Sequence, residues 1–443
     1  MKSFSEGLGK MRYLRIFAVM LLMNIAGPAH AQSTGNHPEA LLKKAATLIQ
    51  NMLEEFLPEH DQWFTQHFYS GVPKEKLLQT LKGIRQQLGP VARSRICKVI
   101  DASSGELEFV GSNGNRLRAV IRMEPQAPHG CTYLLFSNVD EGQDTWPQLS
   151  ADLMRLPGEK AASVHLIAPQ KSRRFVFRQT DPLAVGSSFK LLVLNQLADE
   201  ISSGTRKWAD TVSLQQEGRS LPSGILQDWP VGSPVTLHTL AGLMITRSDN
   251  TAADHLMLTL GRESLEQQQA RCKVLYPERN CPFLRTSELF KIKLISPEHV
   301  CTNYPLRSED AKRTLLKQLE KTPLSQPRIY TKPVAIDQVE WFYTTDDLCQ
   351  MMERLKVSNE WPRVQPLLSI VKPFDIDDYA WEYLGFKGGA EVGVLNLTLL
   401  GKLRGKDEWY TVSFTWNRTD EPIDEPGWIR IVQRAMLLIE RGK

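Results

Sequence analysis

Three short stretches of the 443-residue chain carry residue types that could do chemistry together. The first is Gly186-Ser187-Ser188-Phe189-Lys190, which runs into the apolar Leu191-Leu192-Val193-Leu194. On a helix, positions i and i+3 share a face, with Cβ atoms about 5–6 Å apart. The Ser187 hydroxyl and the Lys190 amine can therefore meet without help from the rest of the fold. A helix start adds unpaired N–H groups and a positive dipole end, which favour an oxyanion beside Ser187. A nucleophile, a base and an anion-friendly field from one turn of chain suit acyl transfer. The second stretch is Ser248-Asp249-Asn250, a polar trio between the apolar runs Leu240–Ile245 and Thr251–Leu260. It reads equally well as a helix cap. The third is Lys387-Gly388-Gly389-Ala390, expected at the start of the apolar strand Val392–Leu400. Paired glycines let another backbone approach closely, and the Ala390 N–H becomes a possible oxyanion donor beside that of Ser187. The plainer reading of this stretch is a glycine-rich bend with a surface lysine.

These stretches need a scaffold. Segments 163–168 and 174–178 alternate like paired strands, and strands return at about 392–400 and 409–416. Short helical segments fill 202–290, and a helix over Ile429–Arg441 closes the chain. Helices between early and late strands predict one sheet completed by distant parts of the sequence. Ser369-Ile370-Val371-Lys372 repeats the Ser-x-x-Lys spacing, but Pro373 follows at once. Proline disfavours helix at the residue before it, so Ser187 is the better nucleophile.

Upstream, residues 37–57 and 73–88 read as amphipathic helices, and 93–101, 105–111, 116–123 and 132–137 as strands with turns between them. Asn138–Gln148 reads as a linker. At the N-terminus, Lys2, Lys10, Arg12 and Arg15 precede the apolar run Ile16–Ile25 and an Ala29-His30-Ala31 site. That is the pattern of a secretory signal peptide over residues 1–31, with export to a periplasmic or extracellular space expected. Gln32, not a cysteine, stands directly after the cleavage site, so no membrane anchor is expected after cleavage. Loss of the leader takes the formal charge from +4 to +1, which offers no electrostatic attraction for nucleic acid or an anionic membrane. Six cysteines in an exported chain suggest disulfides, with Cys97–Cys131, Cys272–Cys281 and Cys301–Cys349 as the guessed pairs. No zinc-type spacing occurs, and neither a metal nor a cofactor is expected.

Taken in order, Ser-x-x-Lys, Ser-Asp-Asn and Lys-x-Gly resemble the serine β-lactamases and penicillin-binding proteins, class A β-lactamases in particular. The flanks Pro182-Leu183-Ala184-Val185 and Thr251-Ala252-Ala253 strengthen the likeness. The resemblance implies an α+β fold for residues 150–443: an antiparallel sheet flanked by helices, plus a helical subdomain. The helices-then-strands order of residues 32–145 resembles a small NTF2-like accessory domain. The implied mechanism is an acyl-enzyme on Ser187, with Lys190 as a base kept neutral by burial or by Lys387. Ser248 would relay protons, Asn250 would position Lys190 and the substrate amide, and Asp249 would fix the loop. Ser187, Gly388, Gly389 and Ala390 would cradle the substrate carbonyl, and Lys387 would attract a substrate carboxylate. The expected partner is therefore a small β-lactam, ester or peptide bearing a carboxylate.

Two departures narrow the likeness. Gly388 stands where the family usually has a hydroxyl residue, and no Glu-x-x-Leu-Asn segment supplies a deacylating glutamate. Glu288 is the nearest candidate, and it reads equally well as a helix-start carboxylate. Lys-Gly-Gly with an NTF2-like domain looks more like the β-lactamase-like serine hydrolases of clavulanic acid gene clusters, a subgroup associated with esterase activity. The alternatives to a β-lactamase are thus an esterase or peptidase on the same scaffold, or a penicillin-binding sensor that acylates without turnover.

Overall fold

The structure, a computed structural model, describes residues 38–442 apart from 113–114, 138, 140–143, 169–171, 297, 324–330 and 375–379. The signal peptide expected over residues 1–31 and part of the expected linker lie outside the described residues. Helices α1 (Pro38–Glu54), α2 (Gln66–Gly71) and α3 (Lys74–Leu88) come first. An antiparallel meander follows, of β1 (Val91–Val99), β2 (Ser104–Gly111), β3 (Arg116–Met123) and β4 (Cys131–Phe136). Leu42, Ile49 and Met52 of α1 and Leu81 and Leu88 of α3 share a core with Leu107, Phe109, Leu117 and Ile121 of the sheet.

The guessed disulfides are not formed: all six cysteines are thiols. Cys97 and Cys131 lie on the two outer strands, β1 and β4, three strand spacings or roughly 14 Å apart.

The second region begins with α4 (Trp146–Arg155), β5 (Glu159–Ile167), β6 (Ser172–Phe177) and β7 (Leu183–Ala184). Next come α5 (Lys190–Ser202), the pair β8 (Thr211–Ser213) and β9 (Pro234–Thr236), α6 (Leu237–Thr246), α7 (Asn250–Leu260) and α8 (Arg262–Arg271). Helices α9 (Thr286–Phe290), α10 (Glu298–Asn303) and α11 (Glu309–Glu320) lead to β10 (Phe342–Tyr343), α12 (Thr345–Val357) and α13 (Trp361–Ser369). The chain ends with β11 (Trp381–Glu391), β12 (Val394–Leu403), β13 (Trp409–Asn417) and α14 (Glu425–Glu440). The main sheet is antiparallel in the order β11-β12-β13-β5-β6, so late strands complete a sheet begun by early ones, as the alternating segments predict. Cys272 and Cys281, at the ends of two different helices, each have the sulfur 3.8 Å from a glutamine amide, that of Gln268 and of Gln269. Cys301 packs in the helical core, whereas Cys349 lies on α12 against the Ser163 carbonyl of the sheet.

Period-two alternation gives this sheet two differently built faces. Leu397, Leu399, Val412 and Phe414 pack with Leu149, Leu153, Trp428 and Val432 of α4 and α14. The opposite face turns Asn396, Thr398, Thr411, Ser413 and Thr415 inward, all with no solvent exposure. Asn396 binds this layer together. It accepts from the Ser188 and Thr398 hydroxyls at 2.6 and 2.8 Å and donates to Thr415 Oγ1 at 2.8 Å. The residue after the candidate nucleophile is thereby pinned to the sheet. Lys387-Gly388-Gly389-Ala390 does not start a strand, as expected, but lies near the end of β11 at the sheet edge.

Candidate active site

Gly186–Phe189 forms a single 3-10 turn, and α5 begins at Lys190. Every residue of α5 from Lys190 to Ala198 is buried, so this helix is a core element and carries its first lysine inside. Phe189 stacks on Trp341 at 3.8 Å, and the Val185 N–H donates to the Trp341 carbonyl at 3.1 Å, which anchors the turn from both ends. Ser187 stays half-exposed while Lys190 is fully buried.

Lys190 Nζ has four oxygen neighbours: Asn250 Oδ1 at 2.6 Å, the Ser248 carbonyl at 2.7 Å, Ser187 Oγ at 3.2 Å and Ser248 Oγ at 3.3 Å. Asn250 is oriented by donating its own amide N–H to the Leu221 carbonyl at 2.9 Å. Burial first, and then the charge of Lys387, push the Lys190 pKa well below the ordinary lysine value. A neutral amine has two N–H donors and one lone pair. The two closest neighbours are oxygens that can only accept, so they take both N–H groups. The lone pair is then left for a hydroxyl, and Ser187 Oγ is the nearer.

Ser248 bridges two amines, because Lys387 Nζ donates to its Oγ at 3.1 Å and to the Gly388 carbonyl at 2.6 Å. Burial pushes Lys387 down to about 7. Ser248 holds φ at 51°, a left-handed conformation that non-glycine residues adopt rarely and often at functional sites. The loop that imposes it is fixed by Asp249, whose carboxylate accepts from the N–H groups of Ala252, Ile225 and Leu226 at 2.8, 2.7 and 3.0 Å. Asp249 is the N-cap of α7 and points into the fold, as the loop-fixing role requires.

The oxyanion donors meet where the turn touches β11. A Cβ on Gly389 would collide with the Val185 carbonyl and sit 2.5 Å from the Ser187 nitrogen. One on Gly186, whose φ is +49°, would sit 3.1 Å from the Ala390 nitrogen. Only glycines permit this approach, and it brings the Ser187 and Ala390 amides side by side. At Gly388 the space for a side chain is filled by the Phe386 ring, whose Cζ would lie 2.6 Å from an added Cβ. The missing family hydroxyl is thus replaced by an apolar ring.

Ser187, Lys190, Ser248, Asn250 and Lys387 converge, with Gly388, Gly389 and Ala390 alongside. Glu288 does not join them. It is buried between Arg262 and Arg285, at 2.6 and 2.9 Å, and also accepts the Arg285 N–H at 2.8 Å. Burial alone would raise its pKa, but the two guanidiniums hold it below the ordinary value. A carboxylate so paired is a weaker base than a free one, and its bonds go to Arg262 and Arg285 rather than to the Ser187 site, so the deacylation role expected of Glu288 is corrected to a structural one. Among the described residues, no hydrogen bond of Ser187, Lys190, Ser248 or Lys387 goes to a carboxylate. Sequence reading misses Leu221, Trp341 and Phe386 because nothing local marks a carbonyl or an aromatic ring as a site neighbour.

Residues 148–275 match a family described as the β-lactamase enzyme family. Among solved structures, the chain is similar to a β-lactamase from Sphaerobacter thermophilus DSM 20745 (17% identity, TM-score 0.46, covering 67% of this chain and 96% of that one). It is similar to an ancestral class A β-lactamase (15%, 0.47, 68% and 100%). It is also similar to a mutant of PBP-A, solved as an acyl-enzyme complex with penicillin G (14%, 0.48, 67% and 96%). No curated protein matches the chain.

Proposed function

We propose that the chain, whose residues 148–275 match the β-lactamase enzyme family, is an exported serine acyl-transfer enzyme acting on β-lactams or related esters and amides. The observation that carries the reading is the bonding of Lys190, whose lone pair is left for Ser187. The Ser187 proton passes to Lys190 as Oγ bonds to the substrate carbonyl carbon. The tetrahedral oxyanion is met by the Ser187 and Ala390 N–H groups. Collapse breaks the C–N or C–O bond, and the proton reaches the leaving atom from Lys190 through Ser248. Lys387, when protonated, attracts a substrate carboxylate. Residues 32–145 serve as an accessory domain, and residues 1–31 as the export signal.

A second reading is favoured by the pairing of Glu288 with two arginines: acylation by a β-lactam outpaces hydrolysis, so the adduct persists as in a penicillin-binding protein, while activated esters turn over. Intact-mass measurement with benzylpenicillin, beside turnover of nitrocefin and p-nitrophenyl acetate, separates the two. A transient adduct with nitrocefin turnover supports the hydrolase, and a lasting adduct with turnover of p-nitrophenyl acetate supports the second reading. Retention of adduct and turnover in Ser187→Ala sinks both.

A further inference from the structure

One buried charge cluster lies behind the oxyanion donors and takes no part in the chemistry just described. Lys293, in the π-helical segment Lys291–Ile295, has no exposed side-chain surface. Its ammonium bonds Glu340 at 2.5 Å and Glu391 at 2.6 Å, carboxylates only 1% and 12% exposed. The two glutamates sit at telling places. Glu391 directly follows Ala390 on β11. Glu340 directly precedes Trp341, which accepts the Val185 N–H and stacks on Phe189. Lys293 therefore joins the two backbone segments whose separation sets the distance between the Ala390 and Ser187 amides.

Resting on the acyl-transfer reading, we propose that Lys293 is a positioning residue: with Glu340 and Glu391 it clamps the end of β11 to the Trp341 segment and so holds the oxyanion donors at working separation. One ammonium cannot neutralise two buried carboxylates, and a buried unpaired charge is unfavourable. The cluster relieves this by favouring a proton on Glu340, whose pKa is raised first by burial and then by the charge of Glu391. The clamp is then neutral as well as cross-linking. Removing Lys293 leaves the glutamates without the group that draws the two segments together.

The test uses the full chain and two acyl donors, benzylpenicillin and p-nitrophenyl acetate. In Lys293→Met, acylation of Ser187 followed by time-resolved intact mass slows by about 10²-fold, while KM for the ester is little changed. The infrared carbonyl stretch of the acyl-enzyme moves up toward that of a free ester, because the carbonyl loses hydrogen bonds. A charge-neutral triple variant, Lys293→Met with Glu340→Met and Glu391→Met, which has no polar group left to join the segments, shows the same slowing and shift, and decides the matter if the single variant does not fold. Folded variants with wild-type acylation and carbonyl frequency overturn the clamp alone. Wild-type protein that neither donor labels at Ser187 overturns the acyl-transfer reading and the clamp with it.

Discussion

A single methyl group placed on Gly389 tests whether the contact between the Ser187 turn and β11 builds the oxyanion hole. In Gly389→Ala the new carbon meets Val185 O, Ser187 N at 2.5 Å and Ser188 N at 2.7 Å. All three are backbone atoms, so no side-chain rotation relieves the overlap. Restoring an ordinary separation of ~3.5 Å requires the turn and strand to part by about 1–1.5 Å. Oxyanion donors work within ~2.7–3.1 Å of the developing charge, and loss of one costs roughly 10²–10³-fold in rate, or about 2.7–4 kcal/mol. Stability falls by ~1–3 kcal/mol from overpacking. The assay is the acylation rate with benzylpenicillin by quenched intact mass, with urea unfolding run alongside. Gly83→Ala is the control: on α3 an added Cβ meets nothing within 4 Å, so acylation holds at the wild-type rate. Wild-type acylation by a folded Gly389→Ala protein would refute the argument.

Other outcomes follow from the buried charges. The folded pKa of Lys387, about 7, lies below that of an unfolded lysine, near 10.5. Between these values the unfolded chain binds more protons, so this group makes stability rise with pH through that window. Lys387→Met raises the melting temperature at pH 7 and flattens its rise toward pH 10, read by calorimetry. Glu288→Gln destabilises by up to ~3 kcal/mol in urea, because half-buried Arg262 loses its carboxylate partner and buried Arg285 keeps only Glu217 and Glu320, yet the folded fraction acylates and deacylates as wild type. Asp249→Ala removes an acceptor for three N–H groups and lowers stability by at least ~1–2 kcal/mol, and acylation falls with it as Ser248 loses its fixed conformation. Reductant leaves the melting temperature unchanged, because the six cysteines are thiols.

Much of the site is legible in the sequence because its chemistry is local. Ser187 and Lys190 are one turn apart, and Asp249 and Asn250 follow Ser248 directly. The turn itself differs from the expected helix, since Gly186–Phe189 is 3-10, but the hydroxyl and amine still meet. Glu288 misleads because its partners, Arg262 and Arg285, can be seen only in space. The start of β11 escapes a sequence reading because Gly385, Gly388 and Gly389 dilute a strand pattern, while pairing to β12 along its whole length overrides that weakness. The disulfide guess fails because nearness in sequence does not decide which strands or helix ends become neighbours, as Cys97 and Cys131 on the two outer strands show.

Ser248 holds a wider consequence. With one hydroxyl touching both lysine amines, the site behaves as a single dibasic acid with a common proton store. Burial drives both amines toward neutrality, and Lys387, pushed down to about 7, takes up and releases its proton near neutral pH. That proton can sit at Lys387 to meet a substrate and reappear near Lys190 when the leaving group departs, with Ser248 handing it across. Isotope and pH-rate measurements on such an enzyme would then report the pair's two macroscopic constants, and neither constant would belong to one lysine.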